Sequence, residues 1–172
     1  MYRLYFWAKR VIKNEKNSVI LHRLAEKIIG HIEAYYNLFV KKMYIKHPSD
    51  KIGITVKKRE QKIIVSLTSF PKRIDTLWIT VETLLRQSMK PDEIILWLAE
   101  EQFNGIDSLP KALLEQQKRG LTIRFCDDLR SHKKYYYTMQ EYPRDIVILV
   151  DDDMFYAKDT IRDNIGKVFI DL

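Results

Sequence analysis

A chain of 172 residues, 46% hydrophobic and 31% charged, holds enough apolar material for one ordinary domain plus an extension, which excludes disorder as its default state. Its net charge of +7 is unevenly placed: residues 1–62 carry 15 Lys/Arg and 5 Asp/Glu, whereas residues 63–172 carry 15 and 18. The single cysteine, Cys126, excludes an internal disulfide or a zinc cluster, and no run of about 18 apolar residues offers a spanning helix, so a cytoplasmic setting is expected.

The opening MYRLYFWAKRVIK lacks the long apolar stretch and small-residue cleavage site of a secretory signal. Tyr2 to Lys13 sets Tyr5, Phe6 and Trp7 beside Arg3, Lys9, Arg10 and Lys13, and residues 18–46 place Leu21, Leu24, Ala25, Ile28, Ile32, Tyr35, Phe39 and Met43 at helical spacings of three and four. Ser18 is a candidate cap. Residues 1–47 therefore read as a basic amphipathic helical extension. Two partners suit residues 1–46: an anionic membrane surface, peripheral at the inner face of the cell membrane, or a hairpin packed on its own domain or on another protein. Residues 48–61, with Pro48, Gly53 and clustered lysines, read as a linker.

The pattern then changes. Lys62 to Ser69, Glu93 to Leu98, Leu121 to Phe125 and Asp145 to Val150 read as buried strands, and Ile74 to Ser88, Lys111 to Arg119 and Lys133 to Glu141 as the helices between them. This alternation predicts an α/β domain over 62–172, Rossmann-like, with a mostly parallel sheet covered on both faces. Ligands of such sheets bind beyond the carboxyl ends of the strands, which directs attention to Thr68 to Arg73, Ala99 to Phe103, Cys126 to Lys134 and Asp151 to Tyr156.

In IVILVDDDMFY three like charges follow a buried strand. Alternate side chains of an extended segment share a face, so Asp151 and Asp153 are expected to converge and Asp152 to point elsewhere. Such a pair suits Mn²⁺ or Mg²⁺, cations that take one or two carboxylates and complete their shell with water and phosphate oxygens. The plainer alternative is a solvated turn capping the next helix. Lys133 and Lys134 open a helix against its dipole, which calls for a negative group nearby, either a diphosphate or simple solvation. Arg73 behind Pro71 is placed to grip phosphate, and Phe70 to pack on a nucleobase, or else both mark a helix boundary. Tyr135, Tyr136 and Tyr137 read as core and boundary packing, and His132 as a loop residue. No GxGxxG, GxxxxGK[ST] or GxSxG is present.

Taken in order, TSFPKRI after a strand, KPDEIILWLAEEQF, GLTIRF, SHKKYYY and YPRDIVILVDDDMFY make residues 62–160 resemble bacterial nucleotide-sugar glycosyltransferases of the GT-A fold, of the capsular polysaccharide and lipopolysaccharide type. The resemblance implies the donor-binding half of such an enzyme, binding a nucleotide-diphosphate sugar for transfer to a saccharide or lipid-linked acceptor. Thr68, Ser69, Phe70 and Arg73 would lie near the nucleotide, and Lys133 or Lys134 near the diphosphate. Asp153 would be the direct metal ligand, and Asp151 would lie near the donor ribose or the metal. The closing RDNIGKVFIDL does not match the family's continuation, so the domain is expected to be incomplete at its C-terminus, and Asp159, Asp163 and Asp171 match no family base. Three other readings stand beside this one. A haloacid-dehalogenase-like phosphatase would need Thr or Val where Phe155 stands; a non-catalytic remnant or interaction protein would keep the aspartates as a turn; nucleic-acid binding through the basic third would be nonspecific.

Overall fold

The computed structural model describes residues 2–14 and 18–170 and divides into two compact units, Met1–Pro48 and Ser49–Leu172. In the first unit, α1 (Tyr2–Lys13) packs on α2 (Val19–Lys46). Ala8 and Ala25, both fully buried, let the backbones approach, and Val11, Ile29, Ile12, Leu21 and Ile28 fill the seam around them. Ser18 caps α2 by accepting a hydrogen bond from the Leu21 N–H at 3.3 Å. No helix among the described residues is long and apolar enough to cross a membrane.

The second unit is α/β. Four strands, β1 (Ile63–Thr68), β2 (Glu93–Ala99), β3 (Leu121–Cys126) and β4 (Ile146–Leu149), form an all-parallel sheet in the order β3-β2-β1-β4. Because successive side chains of a strand alternate in direction, the sheet has two apolar faces. Val65, Leu67, Leu96 and Leu98 face α3 (Pro71–Leu85), α4 (Lys111–Leu114) and α6 (Thr160–Ile170), which contribute Leu77, Val81, Leu84, Leu113, Ile161 and Ile165. Ile64, Ile95, Trp97 and Cys126 belong to a smaller cluster covered by Tyr137 of α5 (Lys133–Glu141) and Tyr142. On that side buried Ser66 donates to the Lys134 carbonyl at 2.5 Å and shares a hydrogen bond with Thr138 at 2.8 Å, and the Trp97 indole donates to Thr138 at 2.7 Å. These bonds satisfy the polar groups and fix where the start of α5 sits.

Element limits differ from the sequence reading for local reasons. α3 begins at Pro71, whose missing N–H costs nothing at the first helical position, and it ends at Leu85. α4 is a single turn that tightens into a 3₁₀ segment, Glu115–Arg119, closed by Gly120 at φ 114°. A Cβ there would also lie 2.7 Å from Ile54 Cγ2.

That neighbour belongs to the stretch read as a linker, which instead straps the α/β unit. The Gly53 N–H donates to the Arg119 carbonyl and the Thr55 N–H to the Pro91 carbonyl, each at 2.8 Å, and Ile54 packs on the main core. Gly53 runs so close to α3 that a Cβ would sit 2.7 Å from the Leu85 Cα. Pro48, Gly53 and the lysines marked the stretch as a linker, but backbone bonding and the close approach of Gly53 decide its path.

Candidate functional site

The connections β1 to β2 to β3 step in one direction, and the next crosses back to set β4 on the far side of β1. This reversal opens a crevice beyond the carboxyl ends of β1 and β4. A cavity of about 510 Å³ lies there, and its lining includes Thr68, Ser69, Phe70, Arg73, Lys133, Lys134, Asp151 and Asp152. Seven of the eight residues expected from the sequence line it. Asp153 does not, yet it reaches the same rim through Arg73.

The turn after β1 is held from both sides. The Thr68 hydroxyl donates to the Trp97 carbonyl of β2 at 2.7 Å, and Ser69, 3% exposed, donates to Asp152 Oδ2 at 2.7 Å. Phe70 precedes Pro71 in extended conformation, 38% exposed, with the Arg73 guanidinium 5.3 Å from its ring centroid.

The aspartates do not follow strand alternation, because β4 ends at Leu149 and residues 152–153 form a turn. Asp152 points inward, its side chain 8% exposed, and accepts from Arg73 Nη1 at 2.6 Å as well as from Ser69. Asp153 forms an ion pair with the same Arg73 nitrogen at 3.0 Å, and Asp151 accepts from Lys134 Nζ at 2.6 Å. The segment's backbone is pinned too. Thr80 donates to the Asp152 carbonyl at 2.9 Å, and the Asp151 N–H donates to the Tyr156 hydroxyl at 2.7 Å. The hydrogen bond that Arg73 donates to Asp152, and the charge of Asp152, raise the Arg73 pKa against some desolvation, with Asp153 and Asp151 adding to the rise. Burial, with the neighbouring aspartates adding, pushes the Tyr156 phenol up against the opposing backbone bond at Asp151.

The lysines at the start of α5 find their negative partners within the protein. Lys133 is 2% exposed, and its ammonium donates to Asp128 Oδ1 at 2.5 Å. Asp128 also accepts from the Arg130 N–H at 2.7 Å and from Gln102 Nε2 at 2.8 Å. The hydrogen bond from Lys133, then that from the Arg130 N–H, holds the Asp128 carboxyl below its ordinary range. Arg130 itself sits at φ 54°, the one positive φ at a non-glycine among the described residues, at the rim of the cavity.

Asp128, Gln102, Arg130, Ser131 and Tyr156 were not singled out from the sequence, although all five fall within segments that follow strands. The Asp127–Asp128 pair after LTIRFC repeats, in weaker form, the signal of Asp151 to Asp153 after IVILV. Tyr137 packs on Trp97 with ring centroids 5.3 Å apart, whereas Tyr135 and Tyr136 are exposed. Asp159 is tied to Ser88 at 2.5 Å and to Arg162 at 3.2 Å, and Asp163 to Arg162 at 3.8 Å, which leaves them as ends of surface bonds. Asp171 lies outside the described residues.

Chemically the rim is a set of matched pairs: Arg73 with Asp152 and Asp153, Lys134 with Asp151, and Lys133 with Asp128. Among the described residues no group of three or more His, Cys, Asp or Glu side chains is arranged to hold a metal. A hard cation at Asp151 and Asp153 would have two carboxylates, which are 66% and 50% exposed, and would need oxygens from a ligand or water to complete its shell. That donor set fits Mg²⁺ or Mn²⁺ held jointly with a phosphate-bearing ligand. Comparison with protein-family models, with curated proteins and with solved structures returned no match.

Proposed function

We propose that the α/β unit binds a nucleotide-diphosphate sugar together with Mn²⁺ or Mg²⁺, as the donor site of a glycosyltransferase of the GT-A type acting on a saccharide or lipid-linked acceptor in the cytoplasm. One observation carries the reading: at the switch point of a parallel sheet, Arg73, Lys133 and Lys134 and the carboxylates of Asp151 and Asp152 surround a single cavity of about 510 Å³. The ordered motifs from TSFPKRI to VDDDMFY lend it support of a separate kind.

The pairing explains how such a ligand would enter. Asp151 and Asp153 would hold the divalent cation, giving up their pairing with Lys134 and Arg73. Lys134, freed of Asp151, and Arg73, which keeps Asp152, would then meet the diphosphate in charge-assisted hydrogen bonds worth roughly 1.5–3 kcal/mol each. Either ligand alone must break ion pairs without this exchange, so metal and diphosphate bind as one unit. Phe70, exposed beside Arg73, offers a face for the base. When bound, the cation neutralises charge developing on the departing diphosphate.

Isothermal titration with uridine and guanosine diphosphates tests the reading. Binding that strengthens at least tenfold with Mn²⁺ and disappears in Asp153→Ala is expected. A folded protein that binds no nucleoside diphosphate in the presence of Mn²⁺ would refute it. The same ion pairs also favour a second reading, in which the aspartates are structural ties alone; it predicts that Asp153→Ala changes neither nucleotide binding nor stability.

A further inference from the structure

α2 presents one long face that the first unit leaves uncovered. Ile20, Leu24, Tyr35, Leu38 and Ile45 recur at helical spacing along it, with Phe39 beside them, and each is at least half exposed, from Leu24 at 50% to Ile20 at 81%. The opposite side of α2 carries the buried Ala25, Ile29 and Val40. Lys27 and Lys42 interrupt the apolar row, and Lys41 and Lys46 flank it, all exposed. At a rise of about 1.5 Å per residue the row from Ile20 to Ile45 spans roughly 38 Å.

Charge is sorted around the same helix. Glu26, exposed, precedes Ile29 by three residues, on the side away from the exposed row. An exposed apolar row, lysines in and beside it, and no acid on that face are the features of a helix that lies on negatively charged lipid, its apolar side chains among the acyl chains and its ammonium groups at the headgroups. A second copy of the chain would set lysine against lysine there.

We propose that this face of α2 docks on an anionic lipid bilayer, with the helix lying along the membrane plane. The inference does not rest on the nucleotide reading, and nucleotide titration of the same variants keeps the two separate.

Co-sedimentation of the full chain with phosphatidylcholine vesicles, with and without phosphatidylglycerol, is the test. Binding is expected only with phosphatidylglycerol present, and it should weaken as salt rises. Each lysine contributes about fivefold near such a surface, so Lys27→Glu with Lys42→Glu lowers the partition coefficient by well over tenfold. Leu24→Ser with Leu38→Ser also lowers it by more than tenfold. Both pairs are exposed, and circular dichroism should show unchanged helix content. Three results would overturn the proposal: no association with anionic vesicles, equal association with neutral ones, or a lipid-free oligomer in light scattering that dissociates in the leucine variant.

Discussion

Of the three consecutive aspartates, the central one should be the one that matters for folding, and Asp152→Ala isolates it. The substitution removes a side chain that is 8% exposed together with its bonds from Ser69 Oγ at 2.7 Å and Arg73 Nη1 at 2.6 Å. Ser69 is 3% exposed, and its hydroxyl left unpaired costs about 1–3 kcal/mol. Arg73 is different, because its side chain is 41% exposed and keeps Asp153 at 3.0 Å, so the loss there is about 0.5 kcal/mol. The sum is about 1.5–3.5 kcal/mol. For a unit spanning Ser49–Leu172 it corresponds to a fall in Tm of roughly 6–13 °C. Asp153→Ala, at a carboxylate 50% exposed, should stay within about 0.5 kcal/mol of the parent. Thermal melts of the two variants side by side, followed by near-ultraviolet circular dichroism, make the comparison. An Asp152→Ala protein that melts with the parent, or an Asp153→Ala protein that falls as far, would refute this account of the turn.

Glu82, buried on α3, joins Arg86 at 2.6 Å and Arg119 at 2.5 Å. Burial pushes its carboxyl up, but the hydrogen bonds from Arg119 and Arg86 outweigh that and leave it below its ordinary value. Its ion pairs therefore stabilise the fold fully above the unfolded-state value and lose that effect as pH falls through the lower folded-state value. Glu82→Gln should cost about 3 kcal/mol at neutral pH, and the gap from the parent should close in acid; urea unfolding across a pH series measures both. Cys126 is 8% exposed, and burial pushes its thiol up to about 11, with Lys133 opposing and Asp127, Asp128 and Glu100 adding. Its reaction with an aromatic disulfide at about pH 8 should be at least a hundredfold slower in the native protein than in denaturant, and equal rates would contradict this burial.

The order of strands and helices was legible in the sequence because runs such as KIIVSL and EIILWL have no use outside a doubly covered sheet. The gathering of Thr68 to Arg73, Lys133, Lys134 and Asp151 to Asp153 on one rim followed from a general property of parallel sheets: all carboxyl ends point the same way. Local spacing also placed the cap at Ser18, but of the stripe read along α2 Leu24, Tyr35 and Phe39 stand exposed, because α1 covers only the side that carries Ala25 and Ile29. It misjudged residues 48–61, where lysines outnumber the buried groups but Gly53 and Ile54 fix the path.

Tertiary structure alone decided the rest. The crevice exists because β4 returns to the far side of β1, and strand order leaves no trace in hydrophobic period. Alternation predicted which aspartates would pair, and it failed at the turn beyond β4, where side chains no longer point to opposite faces and Asp152 and Asp153 reach the same arginine. The charge compensation posed by VDDD was likewise invisible along the chain, since Asp152 finds Ser69 and Arg73 about eighty positions away. Sequence determined that three negative charges would stand at the end of a buried strand. Only the folded sheet brought Arg73 and Lys134 close enough to answer them, because ion pairing falls off within a few ångströms in space and takes no account of distance along the chain.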